Sequence, residues 1–198
     1  FLGISNYFLA EIYSNENNFE IALNKLNRIK KESFINIYSK IKAYKILKII
    51  DKNRSNLLLK TLQKKYPKNN EVLLLIANNY RDQNKCDKAI EIYNKLIKQS
   101  RQKNSFYYLK AICLDKLNRW KESKKILIDL ISKNPNDAYV LNYLSYSMAV
   151  RNEDLIKAKK LIIKALEIEK NNGFFLDTLG WIQFKLNDVD KAVRTIQQ

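Results

Sequence analysis

The sequence predicts an all-α solenoid of about six stacked helical hairpins, and three observations lead to this fold class. Similar segments recur at offsets of 33, 34, 34, 34 and 35 residues, beginning at Gly3, Asn36, Asn70, Asn104, Ala138 and Gly173. A period in this range is typical of stacked helical hairpins. Each segment carries two small residues twelve or thirteen positions apart. Finally, 3 Gly and 2 Pro in 198 residues leave few tight turns and favour long helices.

The small residues predict where the two helices of each hairpin cross. In the first helix they follow an apolar or long side chain and are Ala10, Ala43, Ala77, Ala111, Ser145 and Gly180. In the second helix they are Ala22, Ser55, Ala89, Ser123, Ala158 and Ala192. Small side chains at both positions let two antiparallel helices approach closely, so we expect the hairpins to be tight at these points.

The turns between hairpins carry a second periodic signal. Pro67 and Pro135 lie 68 residues apart, which is two periods, so both occupy the turn that follows a second helix. A proline ring suits that position because it does not continue the helix. Residues 151–156 add one residue between the helices of their hairpin. We interpret them as a tolerated surface insertion, with a functional loop as the alternative.

Composition excludes much enzyme chemistry. The chain has no histidine, which removes the commonest general base and the usual transition-metal ligand. Cys86 and Cys113 lie far apart in sequence, and we expect both to be small buried apolar groups, with a reactive or disulfide-forming pair as the alternative. We therefore predict that the chain is not an enzyme and has no catalytic residues, no cofactor and no metal site.

These residues resemble the tetratricopeptide repeat family. Its signature is visible in residues 70–103, although Leu96 stands where the family usually has alanine; the matching residues are Leu73, Ile76, Ala77, Tyr80, Ala89 and Tyr93. Residues 141–193 look like the C-terminal repeats of bacterial envelope-associated members. The resemblance implies a right-handed superhelix in which residues 1–198 form a single solenoid. The expected repeats are 3–35, 36–69, 70–103, 104–137, 138–172 and a truncated 173–198.

The resemblance also implies that first helices line a concave groove that holds a protein or peptide partner. Carried over by position, the expected partner-binding residues are Lys40, Tyr44, Asn78, Arg81, Tyr108, Asn142, Tyr146 and Trp181. Tyrosine and tryptophan supply large rigid contact areas with one polar tip. The alternative for the aromatic members is that they fill the space between successive first helices. Asp115, Asp177 and Phe184 occupy equivalent groove positions.

The net charge of the chain suggests a second function. The chain carries 37 basic and 20 acidic residues, a net charge of +17, which would suit nucleic acid or another anionic partner. The lysines are spread along every repeat, however, and accompany abundant Asn and Ile, so AT-rich coding sequence is a sufficient cause. A helical-repeat module that binds an anionic partner through its basic surface is the alternative to a peptide scaffold, and nucleic acid is the less favoured partner.

The extent of the protein is a further expectation. Because the pattern is already in phase at the first residues and the end falls inside a predicted helix, we expect a part of a longer chain. No apolar run reaches the ~20 residues that a membrane-spanning helix needs. We expect a bacterial protein of the cytoplasm or periplasm, and the sequence does not choose between these compartments or indicate an oligomeric state.

Overall fold

The computed structural model describes residues 2–101 and 103–198, and within these ranges it contains twelve α-helices and no strand. The chain divides into two compact units, residues 1–85 and residues 86–198. The predicted all-α class and its helical-hairpin architecture are confirmed. No helix in the described ranges is both long and apolar enough to cross a membrane.

Unit 1 holds five helices, and each of the first four packs against the helix that follows it. They are α1 (Leu2–Asn15), α2 (Phe19–Asn27), α3 (Asn36–Ile50), α4 (Lys52–Lys65) and α5 (Asn70–Asp82). A single residue, Asp51, connects α3 to α4, and its carboxylate accepts a hydrogen bond from the Arg54 amide at 2.9 Å. This side-chain cap satisfies one free amide at the start of α4.

Unit 2 holds seven helices that pack in chain order, with α9 also contacting α11. They are α6 (Cys86–Gln99), α7 (Asn104–Lys116), α8 (Trp120–Lys133), α9 (Ala138–Val150), α10 (Leu155–Ile168), α11 (Gly173–Lys185) and α12 (Val189–Ile196). Cys86 and Cys113 are both buried, as predicted, and they are not joined in a disulfide. Pro67 and Pro135 both lie in turns that follow a second helix, which confirms their predicted placement.

The small residues lie where the helices of a hairpin cross, as the sequence predicts. Ser123 of α8 donates a hydrogen bond to the Ala111 carbonyl of α7 at 2.9 Å, and Ser145 of α9 donates one to the Ala158 carbonyl of α10 at 2.7 Å. All four residues are fully buried. A Cβ added at Gly180 of α11 would stand 2.6 Å from the Ile196 side chain. Side chains thus meet partner backbone directly, which requires short interhelical distances.

Asparagine takes the place of glycine in the turns inside the hairpins. Asn17, Asn84, Asn118, Asn152 and Asn187 all have φ between 53° and 62°, the left-handed region that asparagine tolerates better than most residues. After each of them the next amide donates to the carbonyl five residues earlier, at 2.8 to 2.9 Å. This is the Schellman arrangement that closes a helix end, and it explains how a chain with 3 Gly forms so many tight turns.

Candidate functional site

In unit 1, the two predicted residues on α3, Tyr44 and Lys40, differ in how deeply they are buried. Tyr44 is 3% exposed, and burial together with the Asp82 carboxylate raises the pKa of its hydroxyl. The ring is buried within unit 1 and leaves little surface for a partner, so the structure does not favour Tyr44 as a contact residue. Lys40 is half-buried, and its Nζ donates to the Asn27 Oδ1 at 3.4 Å.

The surroundings of Lys40 are basic. Burial lowers its pKa, and the charges of Lys31 and Lys65 lower it further. Of the other two predicted residues in unit 1, Asn78 and Arg81 of α5 are both half-buried. Arg81 donates to Asp82 at 3.2 Å, and this carboxylate also pairs with Lys48 of α3. Unit 1 therefore offers mainly polar groups at its predicted contact positions.

In unit 2, three of the four predicted residues are aromatic, and two of these three are exposed. Tyr146 of α9 is 48% exposed and Trp181 of α11 is 39% exposed. The Trp181 ring stacks on Phe184 with a centroid distance of 5.7 Å, and the Lys185 Nζ lies 5.0 Å from the Trp181 centroid. Tyr108 of α7 is different, because its half-buried ring packs edge-on against Tyr143 at 5.8 Å. Tyr108 thus contributes to helix packing as well as to the surface.

A cavity of about 270 Å³ lies between α9 and α11. Its lining residues are Asn142, Tyr146, Phe174, Asp177 and Thr178. Two of the predicted residues, Asn142 and Tyr146, therefore meet in one site, and the sequence analysis missed Phe174 and Thr178. Phe174 lies one helical turn before Asp177 and Thr178 one turn before Trp181, so helical spacing is the signal that could have found them.

We use the name first-helix surface for the exposed side of α7, α9 and α11 in unit 2. It comprises Tyr108, Asn142, Tyr146, Phe174, Asp177, Trp181 and Phe184. Aromatic residues are enriched at protein interfaces, so exposed rings such as Tyr146, Trp181 and Phe184 mark a candidate interaction site.

A polar network lies beneath this surface and fixes α9 to α7. Asp115 of α7 accepts hydrogen bonds from the hydroxyls of Tyr143 and Ser147, each at 3.0 Å, and pairs with Arg151. Its side chain is 12% exposed, so it is not available to a partner, and its groove assignment is corrected. Burial and the Asp115 charge raise the pKa of the Tyr143 hydroxyl, which stays protonated as a donor.

The loop after α9 joins the same network, although it was interpreted as a tolerated insertion. Glu153 accepts a hydrogen bond from the Trp120 indole at 2.7 Å and pairs with Lys124 of α8. The Arg151 guanidinium lies 4.5 Å from the centre of the Trp120 ring. Although burial opposes them, the bonds from Lys124 and Trp120 hold the pKa of the Glu153 carboxyl below its ordinary value. The loop therefore ties one repeat to the preceding one.

Comparison with known proteins identifies the repeat. Residues 80–144 match the family described as Tetratricopeptide repeat. The chain therefore contains tetratricopeptide repeats in this segment. A TPR repeat-containing protein of Pseudomonas aeruginosa, PA4667, is 26% identical over 128 residues, which make up 65% of this chain and 22% of that protein. The chain thus spans about a fifth of this relative's length. The relative is bacterial, which agrees with the bacterial source that the sequence predicts for this chain.

Solved structures share the fold of this chain. PilW, described as a widely conserved type IV pilus biogenesis factor, superposes with a TM-score of 0.81 at 13% identity, covering 98% of this chain and 90% of PilW. A tetratricopeptide repeat protein from Parabacteroides merdae gives a TM-score of 0.73 at 12% identity, covering 99% of this chain and 78% of that one. At these identities the likeness is one of fold. Tetratricopeptide arrays are typically scaffolds for protein interaction rather than catalysts.

Proposed function

We propose that this chain is a non-enzymatic scaffold that holds a protein or peptide partner on the first-helix surface of unit 2. The observation that supports it most is the exposure of Tyr146, Phe174, Trp181 and Phe184, between 39% and 79%, on two helices that contact each other. Buried on binding, such rings contribute large apolar area at a low cost in side-chain entropy. A folded monomer gains nothing from leaving them in water.

The rigidity of the surface supports the same proposal. The backbone of α9 is held by the Asp115 network on one side and by the tight crossing of Ser145 with α10 on the other. Preorganised contact residues lose little conformational freedom on binding, so more of the contact energy appears as affinity. In unit 1, Lys40, Asn78 and Arg81 stay candidate polar contacts for the same or another partner.

The absence of an enzyme function is part of the proposal. Within residues 2–101 and 103–198, no group of three His, Cys, Asp or Glu side chains is arranged to hold a metal ion. The chain lacks histidine, and both cysteines are buried in the core. The carboxylate most enclosed by the site helices, Asp115, is neutralised by Arg151 and serves packing. These features favour a scaffold over a catalyst.

Affinity capture tests this proposal. The bait is the purified chain, and the test variant changes both Tyr146 and Trp181 to Ala. The matched control changes Ile128 and Ile163 to Ala, because these are 44% and 40% exposed on the second helices α8 and α10. A partner captured by wild type and by the control, but lost from the test variant, is the expected result. A partner retained equally by all three proteins would contradict the assignment of the surface.

Varying the salt concentration in the same experiment distinguishes an anionic partner from one held by aromatic contacts. A nucleic acid or other polyanion bound to the basic surface would be released steeply between 50 mM and 200 mM salt, as counterion release requires. A partner held by aromatic contacts would change little over that range, because apolar burial is insensitive to screening. Capture that disappears at the higher salt, or after nuclease treatment, would favour the alternative.

A further inference from the structure

The cavity between α9 and α11 is acidic, although the chain as a whole is strongly basic. In a protein with a net charge of +17, α9 carries no charged residue, and α11 carries only Asp177 and Lys185. Asp177 is exposed at the rim of the cavity, and it makes no hydrogen bond or ion pair with any residue that the structure describes. Lys185 lies two helical turns further on, beside the Trp181 ring. The cavity is therefore a local acidic site.

The walls of the cavity carry aromatic rings, and a buried acceptor lies beside them. Phe174 is 79% exposed and Tyr146 is 48% exposed, so both rings stand at the opening. The Thr178 hydroxyl donates a hydrogen bond to the Phe174 carbonyl at 3.1 Å. The Asn142 Oδ1 is buried and lacks a hydrogen-bond partner among the described residues. An unsatisfied buried acceptor is costly, by about 1 to 3 kcal/mol, so a donor that reaches this oxygen from the cavity would be favoured.

The geometry points to a pocket for a basic side chain, arginine or lysine, presented by the peptide or protein partner. The inference rests on the proposed function, because it specifies what the first-helix surface recognises. A cavity of about 270 Å³ is at the small end for a whole ligand but suits one long side chain. The apolar stem would lie along the rings, and the cation would meet the Asp177 carboxylate, the ring faces and the Asn142 oxygen.

Competing occupants fit this chemistry less well. An acidic side chain would face an unpaired carboxylate, and a purely apolar one would leave the Asn142 oxygen without a partner. Arginine satisfies both acceptors because its guanidinium has five donors and a flat face that stacks on aromatic rings. We therefore expect arginine to bind at least as well as lysine.

The test uses short peptides and NMR titration of the isotope-labelled chain. The probes share the sequence Ac-Gly-Ala-Ala-X-Ala-Ala-Gly-amide, in which X is arginine, lysine, citrulline, norleucine or glutamate. Citrulline is the matched control for arginine because it has nearly the same shape without the charge. We expect the arginine peptide to bind roughly three- to tenfold more tightly than the citrulline peptide, from one partly exposed ion pair and one cation–π contact. The shifted resonances should belong to α9 and α11.

Two variants test whether Asp177 supplies the negative charge that binds the arginine peptide. Asp177→Asn should bring the arginine and citrulline peptides to equal affinity, whereas Asp190→Asn, which removes an exposed carboxylate from α12, should preserve the difference. Equal affinities of these two peptides for wild type, tighter binding of the glutamate peptide, or equal effects of the two variants would overturn the inference. These outcomes leave the proposed function standing if the Tyr146 and Trp181 double variant still loses its partner in the capture experiment.

Discussion

Replacing Asp115 with alanine should destabilise unit 2 far more than the loss of an ordinary surface carboxylate. The side chain is 12% exposed and satisfies three donors: the Tyr143 hydroxyl, the Ser147 hydroxyl and the Arg151 guanidinium. In the variant, the Ser147 hydroxyl remains buried without that acceptor. Arg151 keeps its bond to the Ser147 carbonyl at 3.0 Å and its contact with Trp120, and it is 29% exposed, so water can compensate part of its loss.

The magnitude follows from these contacts. Two hydroxyl bonds to a charged acceptor and one partly exposed ion pair, less the hydration that Arg151 regains, give a loss of about 2 to 4 kcal/mol in the free energy of unfolding. With a urea dependence of about 2 kcal/mol per molar, the middle of the usual range, the unfolding midpoint should fall by about 1 to 2 M. Asp115→Asn should lose less, because the amide oxygen still accepts one bond.

Urea unfolding followed by circular dichroism measures this loss. The matched control is Asp129→Ala, which removes a carboxylate of α8 that is 54% exposed and pairs with Lys133 four residues later. Exposed pairs of this kind contribute about 0.5 kcal/mol or less, so the control should unfold close to wild type. If Asp115→Ala and Asp129→Ala unfolded at the same urea concentration, the network would not stabilise α9 and the reasoning would be refuted.

Three further changes test other parts of the structure. Asn118→Ala should lower the free energy of unfolding by about 1 kcal/mol in thermal melts, whereas Asn118→Gly should be tolerated, since φ is 59° there; equal losses would contradict this. Ala158→Leu should cost about 3 kcal/mol because the site is fully buried at a helix crossing, and a wild-type melting temperature would contradict that. Hydrogen bonds from Lys124 and Trp120 depress the pKa of Glu153, so its contribution is complete above its unfolded pKa near 4.5 and is lost as the pH falls through the folded value. Glu153→Gln should therefore reduce the loss of stability between pH 6 and pH 3, and an unchanged pH profile would contradict this.

The sequence predicted the helical hairpins because their determinants are local and repeated. A small residue such as Ala77 or Ser145 recurs at one phase, and close helix crossing is the physical reason for it. The five helices that begin at Asn36, Asn70, Asn104, Ala138 and Gly173 start where the offsets place the repeats. The asparagines at 84, 118 and 152, spaced by 34 residues, were an equally clear signal of left-handed turns that the sequence analysis did not use.

The site was harder to predict because exposure depends on neighbouring repeats. Tyr44 and Tyr146 occupy equivalent first-helix positions, yet one is 3% and the other 48% exposed. Periodicity specifies the face of a helix, but the side chains of the next helix decide whether that face is covered. The Asp115 network depends on side chains from α7, α9 and the following loop, which lie 28 to 36 residues apart in sequence. No local sequence pattern predicts that these three donors share one acceptor.

Site-specific photocrosslinking tests the central claim most directly, that partners bind the first-helix surface of unit 2. A photoreactive amino acid replaces Tyr146 in one protein and Ile163 in the other, since both positions are exposed and lie on consecutive helices of one hairpin. Our account predicts a defined covalent adduct with the captured partner at position 146 and none at position 163. Adducts of equal yield at both positions, or adducts confined to position 163, would contradict it.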